Sequence, residues 1–329
     1  MTAPRSISRR EFLVTSALAL AATESGCETS APSAEPIIDI HQHCHYGGKR
    51  DAQWRQIGPA RTDAQLIAHQ RNMGVAQTIL LPAGQPCLRA STHQGFSNGL
   101  EGTCTGNEAC AALAEAHREM FRFGANEVPD LEEARVTIEK YLKKGAIVIA
   151  EQKFGVECDS PQMQDLYRLA ADYGVPILMH WQYGTYNYGY DRFDKMLQKY
   201  SSTIFVGHAQ TFWAHIDQNY QDDSKHLYPS GKVTPGGRTD RYLTDYPNFV
   251  GDLSAESGHN ALARDPEFTR GFFTRHQDKL VFGSDCSDRV GGDNTCTGWN
   301  TIQTIRQLAP SKAIERKLLH DNAKKLYRL

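Results

Sequence analysis

No stretch of this chain approaches the roughly 20 consecutive apolar residues that a stable membrane-spanning helix requires. Charge of one sign is lacking too. The 36 Lys and Arg residues nearly balance 38 Asp and Glu, for a formal net charge of −2, and there is no long basic run. That removes any electrostatic reason to expect nucleic acid as a partner. None of the eight cysteines forms a CxxC pair, so a thiolate zinc knuckle is not expected. Internal repeats are absent. What is present is 40% hydrophobic residues across 329 positions, enough for one sizeable core.

Residues 1–36 read as a targeting segment. Ser8-Arg9-Arg10-Glu11-Phe12-Leu13 is a twin-arginine pattern, and an apolar run over 13–22 follows, broken only by Thr15 and Ser16. A run of that length is too short to span a bilayer and suits the h-region of an export signal. The expectation is a periplasmic protein exported already folded. Ser25-Gly26-Cys27 partly resembles a lipoprotein processing site, but Glu24 stands where an aliphatic residue belongs. Lipid anchoring at Cys27 is therefore the lesser reading. An oxidising compartment permits disulfides, but their connectivity is not legible in the sequence.

The remaining residues, 37–329, read as one α/β domain. Eight short runs rich in Ile, Val, Leu and Phe occur at 37–40, 75–81, 121–124, 146–150, 176–179, 203–206, 249–253 and 280–282. Such runs suit strands buried on both faces of a parallel sheet. Helix signals fall between them. Thr62-Asp63 precedes a periodic segment ended by Gly74. Asp130 precedes 131–144. Ser160-Pro161 opens a segment closed by Gly174. Eight alternating units over this length match a closed (β/α)8 TIM barrel; an open doubly wound sheet is the alternative that periodicity leaves standing. Two long irregular stretches, 82–106 and 218–247, follow predicted strands and are expected at the C-terminal mouth of the barrel.

The chemistry concentrates at strand ends. In Ile37-Ile38-Asp39-Ile40-His41-Gln42-His43, two histidines one residue apart follow an apolar strand. In extended backbone such residues share a face, so both imidazoles can aim at one point. The fifth run ends in His180, the sixth in Gly207-His208 and the eighth in Gly283-Ser284-Asp285. Each alone could be a satisfied core histidine or a helix cap. Four in order are harder to dismiss, because barrel strands deliver their C-termini to one mouth. Three histidines and a carboxylate leave room for water on a zinc-like ion. Glu151 ends the fourth run and Lys153 shares its face; metal ligation, substrate contact and an internal Glu–Lys pair all stay open. Asp252 and Ser254 end the seventh run and share a face, where they can bond the substrate, bond a catalytic histidine or cap the next helix. Trp181, Tyr183, Tyr186, Tyr188 and Tyr190 crowd the loop after His180, as a pocket wall or as loop packing. Cys44 points away from the histidine pair and is not expected to bind metal.

These motifs, with the closing segment Asp321-Asn322-Ala323-Lys324-Lys325-Leu326-Tyr327, resemble the amidohydrolase superfamily, in particular its aminocarboxymuconate semialdehyde decarboxylase-like branch. The resemblance spans about residues 37–329. It implies a distorted (β/α)8 barrel and one divalent metal, zinc foremost, held by His41, His43, His180 and Asp285. Asp285 would also act as a base toward a metal-activated water, and His208 would act as an acid/base or polarising group. The sequence gives no firm basis for a second metal.

The leading expectation is a hydrolase of a C–N, C–O or lactone bond in a small molecule. A carboxy-lyase on the same site is the alternative. An exported, non-catalytic binding protein is a third reading, against which the intact candidate ligands weigh. A homo-oligomer is neither required nor excluded.

Overall fold

The computed structural model describes residues 35–46, 58–83 and 106–329. The twin-arginine segment, Cys27, Cys87, Cys104 and most of the 82–106 stretch lie outside the described residues. Pro36–Leu329 forms one compact unit.

All eight expected strands are present, all parallel: β1 (Ile37–Gln42), β2 (Val75–Leu80), β3 (Phe121–Phe123), β4 (Ile149–Gln152), β5 (Ile177–His180), β6 (Phe205–His208), β7 (Phe249–Asp252) and β8 (Leu280–Val281). Ladder pairing yields a run β1-β2-β3 and a run β4 to β8. Backbone bonds outside the ladders join the two runs at both junctions. Ala150 N–H donates to Ala125 O at 2.8 Å beside β3, and Ile40 N–H donates to Phe282 O at 3.1 Å where β8 meets β1. The sheet is therefore closed, which establishes the barrel over the open sheet.

Alternation along the strands produces two apolar layers. Ile38, Ile40, Ile79, Leu178, Val206, Val250 and Val281 belong to an inner cluster. Their neighbours Ile37, Leu80, Ile177, Phe205, Phe249 and Leu280 belong to a larger one shared with the helices. Carried two residues further, the same pleat turns His180, His208 and Asp252 inward after Leu178, Val206 and Val250.

Helix boundaries follow local chemistry. Thr62 caps Asp63–Asn72 in a reciprocal capping box with Gln65, a device worth about 1 kcal/mol. Ser160 caps Pro161–Tyr173, and Gly174 ends it in a left-handed conformation, φ 61°. The segment expected over 131–144 is shorter. It runs Ala134–Lys143, and its cap position, Glu133, makes no side-chain cap bond. Two successive turns precede it, with Leu131 N–H on Val128 O and Ala134 N–H on Leu131 O. The 218–247 stretch is not wholly irregular, since Arg238–Asp245 is helical. Among the described residues, no helix is long and apolar enough to cross a membrane.

Candidate metal centre and its cavity

β1, β5 and β6 run further than the apolar residues alone suggested, and His41, His180 and His208 lie within them. β1 breaks register between Asp39 and Gln42, and β4 between Ile149 and Gln152. Those irregularities sit where His41 and Glu151 leave the simple alternation. β8 is only Leu280–Val281, and Asp285 lies beyond it at φ 46°. Its N–H bonds His41 O at 2.8 Å, which fixes the carboxylate beside the histidine pair. Gly283 is required by contact: a Cβ there would lie 2.6 Å from Asp252 Oδ1 and 2.7 Å from His41 Cβ.

Three imidazoles are held from behind through Nδ1. That of His41 donates to Asp252 Oδ2 at 2.7 Å, and that of His43 to Leu81 O at 2.9 Å. That of His208 lies 3.0 Å from Ser254 Oγ. With Nδ1 engaged, each Nε2 faces the site. His43 Nε2 is 3.4 Å from Glu151 and 3.4 Å from Asp285. The corresponding distances are 3.8 and 3.9 Å for His41, and 3.7 and 3.8 Å for His208.

Two overlapping donor groups result, His41 with His43 and Asp285, and His41 with Glu151 and His208. His180 belongs to neither. Its Nδ1 bonds Glu151 Oε1 at 2.6 Å, and its Nε2 lies 3.3 Å from Gln182 Oε1. The structure thus brings five candidate residues around one point, with Glu151 more central than its place in the sequence suggested and His180 one bond removed.

Asp252 and Ser254 take the histidine-bonding role among those left open. Ser254 Oγ donates to Asp252 Oδ2 at 2.8 Å and also lies 3.2 Å from His41 Nδ1. Ser254 precedes helix Ala255–Ala263 but makes no side-chain cap bond. Beneath them Asp39, fully buried, accepts His41 N–H at 3.0 Å and Ser284 N–H at 2.8 Å. Arg61 donates to Gln42 Oε1 at 2.6 Å and His43 O at 3.2 Å. Arg61 and Gln42 carried no strand-end signal that would have marked them as supports.

The electrostatics fit a divalent cation. His41 Nε2, His208 Nε2 and Asp285 Oδ1 are buried without a hydrogen-bond partner among the described residues. Burial acts against a charge on His43, yet the nearby Asp285 and Glu151 carboxylates prevail and raise its pKa to about 10. Burial is also the largest influence on Asp285, but His41 and His43 override it and hold the acid at about 2. Burial and the neighbouring His41 push His208 down to about 3, so it is neutral. Ligand bonds of about 2.1 Å would set the donors about 3.0–3.4 Å apart. The observed spacings are slightly wider, and the imidazole and carboxylate donors suit zinc, manganese or iron.

The site opens into a cavity of about 330 Å3. Tyr46, Lys153, Gln182, Gln210 and Tyr228 line it together with His180, His208 and Asp285. Tyr228 comes from the 218–247 stretch, which therefore does reach the mouth. The aromatic run after His180 does not form this wall. Trp181 and Tyr190 are buried against each other, with Trp181 also packed on Phe193, and Tyr183 is half exposed. Only Tyr186 approaches the site, edge-on to the His180 ring at 5.3 Å. Lys153 stands over the Tyr186 ring at 5.7 Å.

A family model for amidohydrolases matches residues 38–329. Among solved structures, the chain is similar to a probable 2-pyrone-4,6-dicarboxylic acid hydrolase from Acinetobacter baumannii. The two are 12% identical over 89% of this chain and 99% of that one, with a TM-score of 0.54. A 2,6-dihydroxybenzoate decarboxylase from Rhizobium is 10% identical over 90% and 99%, with a TM-score of 0.56. A dihydroxybenzoic acid decarboxylase from a Polaromonas species, with bound manganese and an inhibitor, is 14% identical over 90% and 98%, with a TM-score of 0.58. At these identities the likeness establishes the fold. No curated protein matches the chain by sequence.

Proposed function

Because this chain belongs to the amidohydrolase family, we propose that it is a metal-dependent hydrolase of a small, polar, carboxylate-bearing molecule, cleaving a C–N, C–O or lactone bond. The observation that carries this reading is Asp285, an ionised carboxylate facing three imidazole Nε2 atoms at the wall of a polar cavity. His41, His43 and Asp285 would hold the ion, with His180 completing the set by its strand position and Glu151 by its geometry. A divalent cation bound there, zinc foremost, supplies Lewis-acid polarisation of an oxygen and a more acidic water.

The chain's own residues supply the rest. Asp285 Oδ1, without a hydrogen-bond partner, accepts the proton of the attacking water. His208 is neutral, with Nε2 turned to the same space and Nδ1 fixed by Ser254. It polarises the substrate oxygen and stabilises the charge developing there. Lys153 on the cavity wall is placed to pair with a substrate carboxylate.

Two probes separate the chemistries. With zinc or manganese loaded, 2-pyrone-4,6-dicarboxylate and a panel of carboxylated amides and esters are expected to open with acid release and no CO2. Release of CO2 from 2,6-dihydroxybenzoate or another carboxylated phenol, without hydrolysis across the panel, would overturn the reading in favour of the carboxy-lyase.

A further inference from the structure

Beside this centre, His69, Cys286, Asp288 and Cys296 direct four potential ligand atoms to within 4.8 Å of one another. We propose that they form a second, structural metal site for a thiophilic divalent ion of the zinc class, which clamps the segment carrying Asp285. The missing CxxC spacing argued against a thiolate site, but folding assembles one from cysteines ten residues apart and a histidine on helix Asp63–Asn72.

The spacings match a tetrahedral ion. Metal bonds of about 2.3 Å to sulfur and about 2.0–2.1 Å to nitrogen or oxygen set ligands about 3.8 Å apart for S–S, 3.5 Å for S–N and 3.3 Å for N–O. The distances are 3.4 Å between the two sulfurs, 3.6 Å from Cys296 Sγ to His69 Nε2 and 3.0 Å from His69 Nε2 to Asp288 Oδ1. Both sulfurs also accept backbone amides at the start of helix Thr297–Leu308. Gly298 N–H reaches Cys286 Sγ at 2.8 Å and Trp299 N–H reaches Cys296 Sγ at 3.4 Å. Amide donors of this kind stabilise sulfur as thiolate.

Arg61 fastens the segment that carries two of these ligands. It is 1% exposed. Its described side-chain bonds all go to carbonyl oxygens, of Cys286 (3.0 Å), Asp288 (2.9 Å), His43 and Gln42. A buried guanidinium needs compensating charge. The Asp39 and Asp288 carboxylates supply it, and two thiolates and a carboxylate around a dication, at a net charge of about −1, would leave that compensation in place. Cys286 directly follows Asp285, so the ion would hold the base of the neighbouring centre in place.

Cobalt(II) tests this separately from the catalytic centre, because only sulfur ligands produce an intense near-ultraviolet thiolate-to-cobalt band. The full chain, purified under reducing conditions and loaded with cobalt, is expected to show the band. Cys296→Ser should remove it together with one equivalent of zinc, whereas Cys110→Ser should retain both. Asp288→Asn keeps both sulfurs and should weaken cobalt binding at this site about tenfold, so the proposal stays testable if Cys296→Ser misfolds. Absence of the band from the loaded parent chain would overturn the proposal. So would a Cys286–Cys296 disulfide found by peptide mapping of protein produced with excess zinc.

Discussion

Asp252→Asn isolates the hydrogen bonds behind the metal-facing histidines. Asp252 is fully buried. Its Oδ2 accepts from His41 Nδ1 at 2.7 Å and from Ser254 Oγ at 2.8 Å, and its Oδ1 accepts Ser254 N–H at 3.0 Å. Asparagine nearly preserves the shape but exchanges one oxygen for a donor. If the new NH2 faces His41, the imidazole proton must move to Nε2, where it blocks the lone pair aimed at the site. If the amide flips, NH2 meets the Ser254 N–H and that bond is lost. Either orientation leaves a buried clash of donors. Losing such an outer partner costs about 10–100-fold in metal affinity, or about 1.4–2.8 kcal/mol. Competition with a chromophoric chelator measures zinc affinity directly, and turnover is expected to fall in parallel. Asp240→Asn is the control, because that buried carboxylate pairs with His276 at 2.6 Å and Arg275 at 2.9 Å away from the cavity. It should lower Tm while leaving zinc affinity unchanged. A folded Asp252→Asn protein that binds zinc within about twofold of the parent would refute the tautomer reasoning.

His180→Asn should remove metal and activity together, and metal analysis of the purified variant decides it. His208→Asn should abolish turnover while retaining the ion; loss of the ion instead would make His208 a ligand. Zinc binding should release at least one proton near pH 7.5, because His43, with a pKa of about 10, must lose its proton to ligate. Apparent affinity should then rise about tenfold per pH unit up to about pH 10. In the metal-free chain the His43 contribution to stability should be fully present below about pH 6.5 and be lost as pH rises through about 10. Calorimetry in buffers of different ionisation enthalpy and Tm across pH 6–10 check these signs. We also propose export by the N-terminal segment: residues 1–36 fused to a reporter should carry it out of the cytoplasm, and changing Arg9 and Arg10 to Lys should stop it.

How much of this was legible depends on how each side chain reaches the centre. His41, His43, His180, His208, Asp252 and Asp285 each follow a short apolar run, and strand order alone sends them to one end of a barrel. Glu151 was visible as a strand-end carboxylate, but its central position depends on the β4 irregularity, which periodicity does not encode. Tyr46, Arg61 and Tyr228 arrive from irregular segments whose course is set by tertiary contacts. Of the two readings open for the aromatic run, packing is the one realised, for a related reason. Beside Phe193, the rings of Trp181 and Tyr190 gain more from burial in the core than from a place at the mouth. The four donors of the second site come from two segments more than 200 positions apart, so only the fold brings them together.

One electrostatic condition unites the two centres. Glu151 and Asp285 face each other across three imidazoles, with Lys153 the foremost positive influence on Glu151, His41 on Asp285, and His43 raised by both carboxylates. Arg61 supplies a fixed positive charge to the adjacent cluster and donates to the His43 carbonyl as well. The charges on His43 and Arg61 therefore act through one short piece of backbone. An ion at the catalytic centre expels the proton from His43 and leaves Nδ1–H on Leu81 O, so the ring need not turn. An ion at the second site would bind the side chains of Cys286 and Asp288, whose carbonyls Arg61 already holds, and so fix the segment that follows Asp285. Occupancy of the second site should therefore tighten zinc at the first through the placement of Asp285. By linkage, zinc at the first should tighten the second by the same factor.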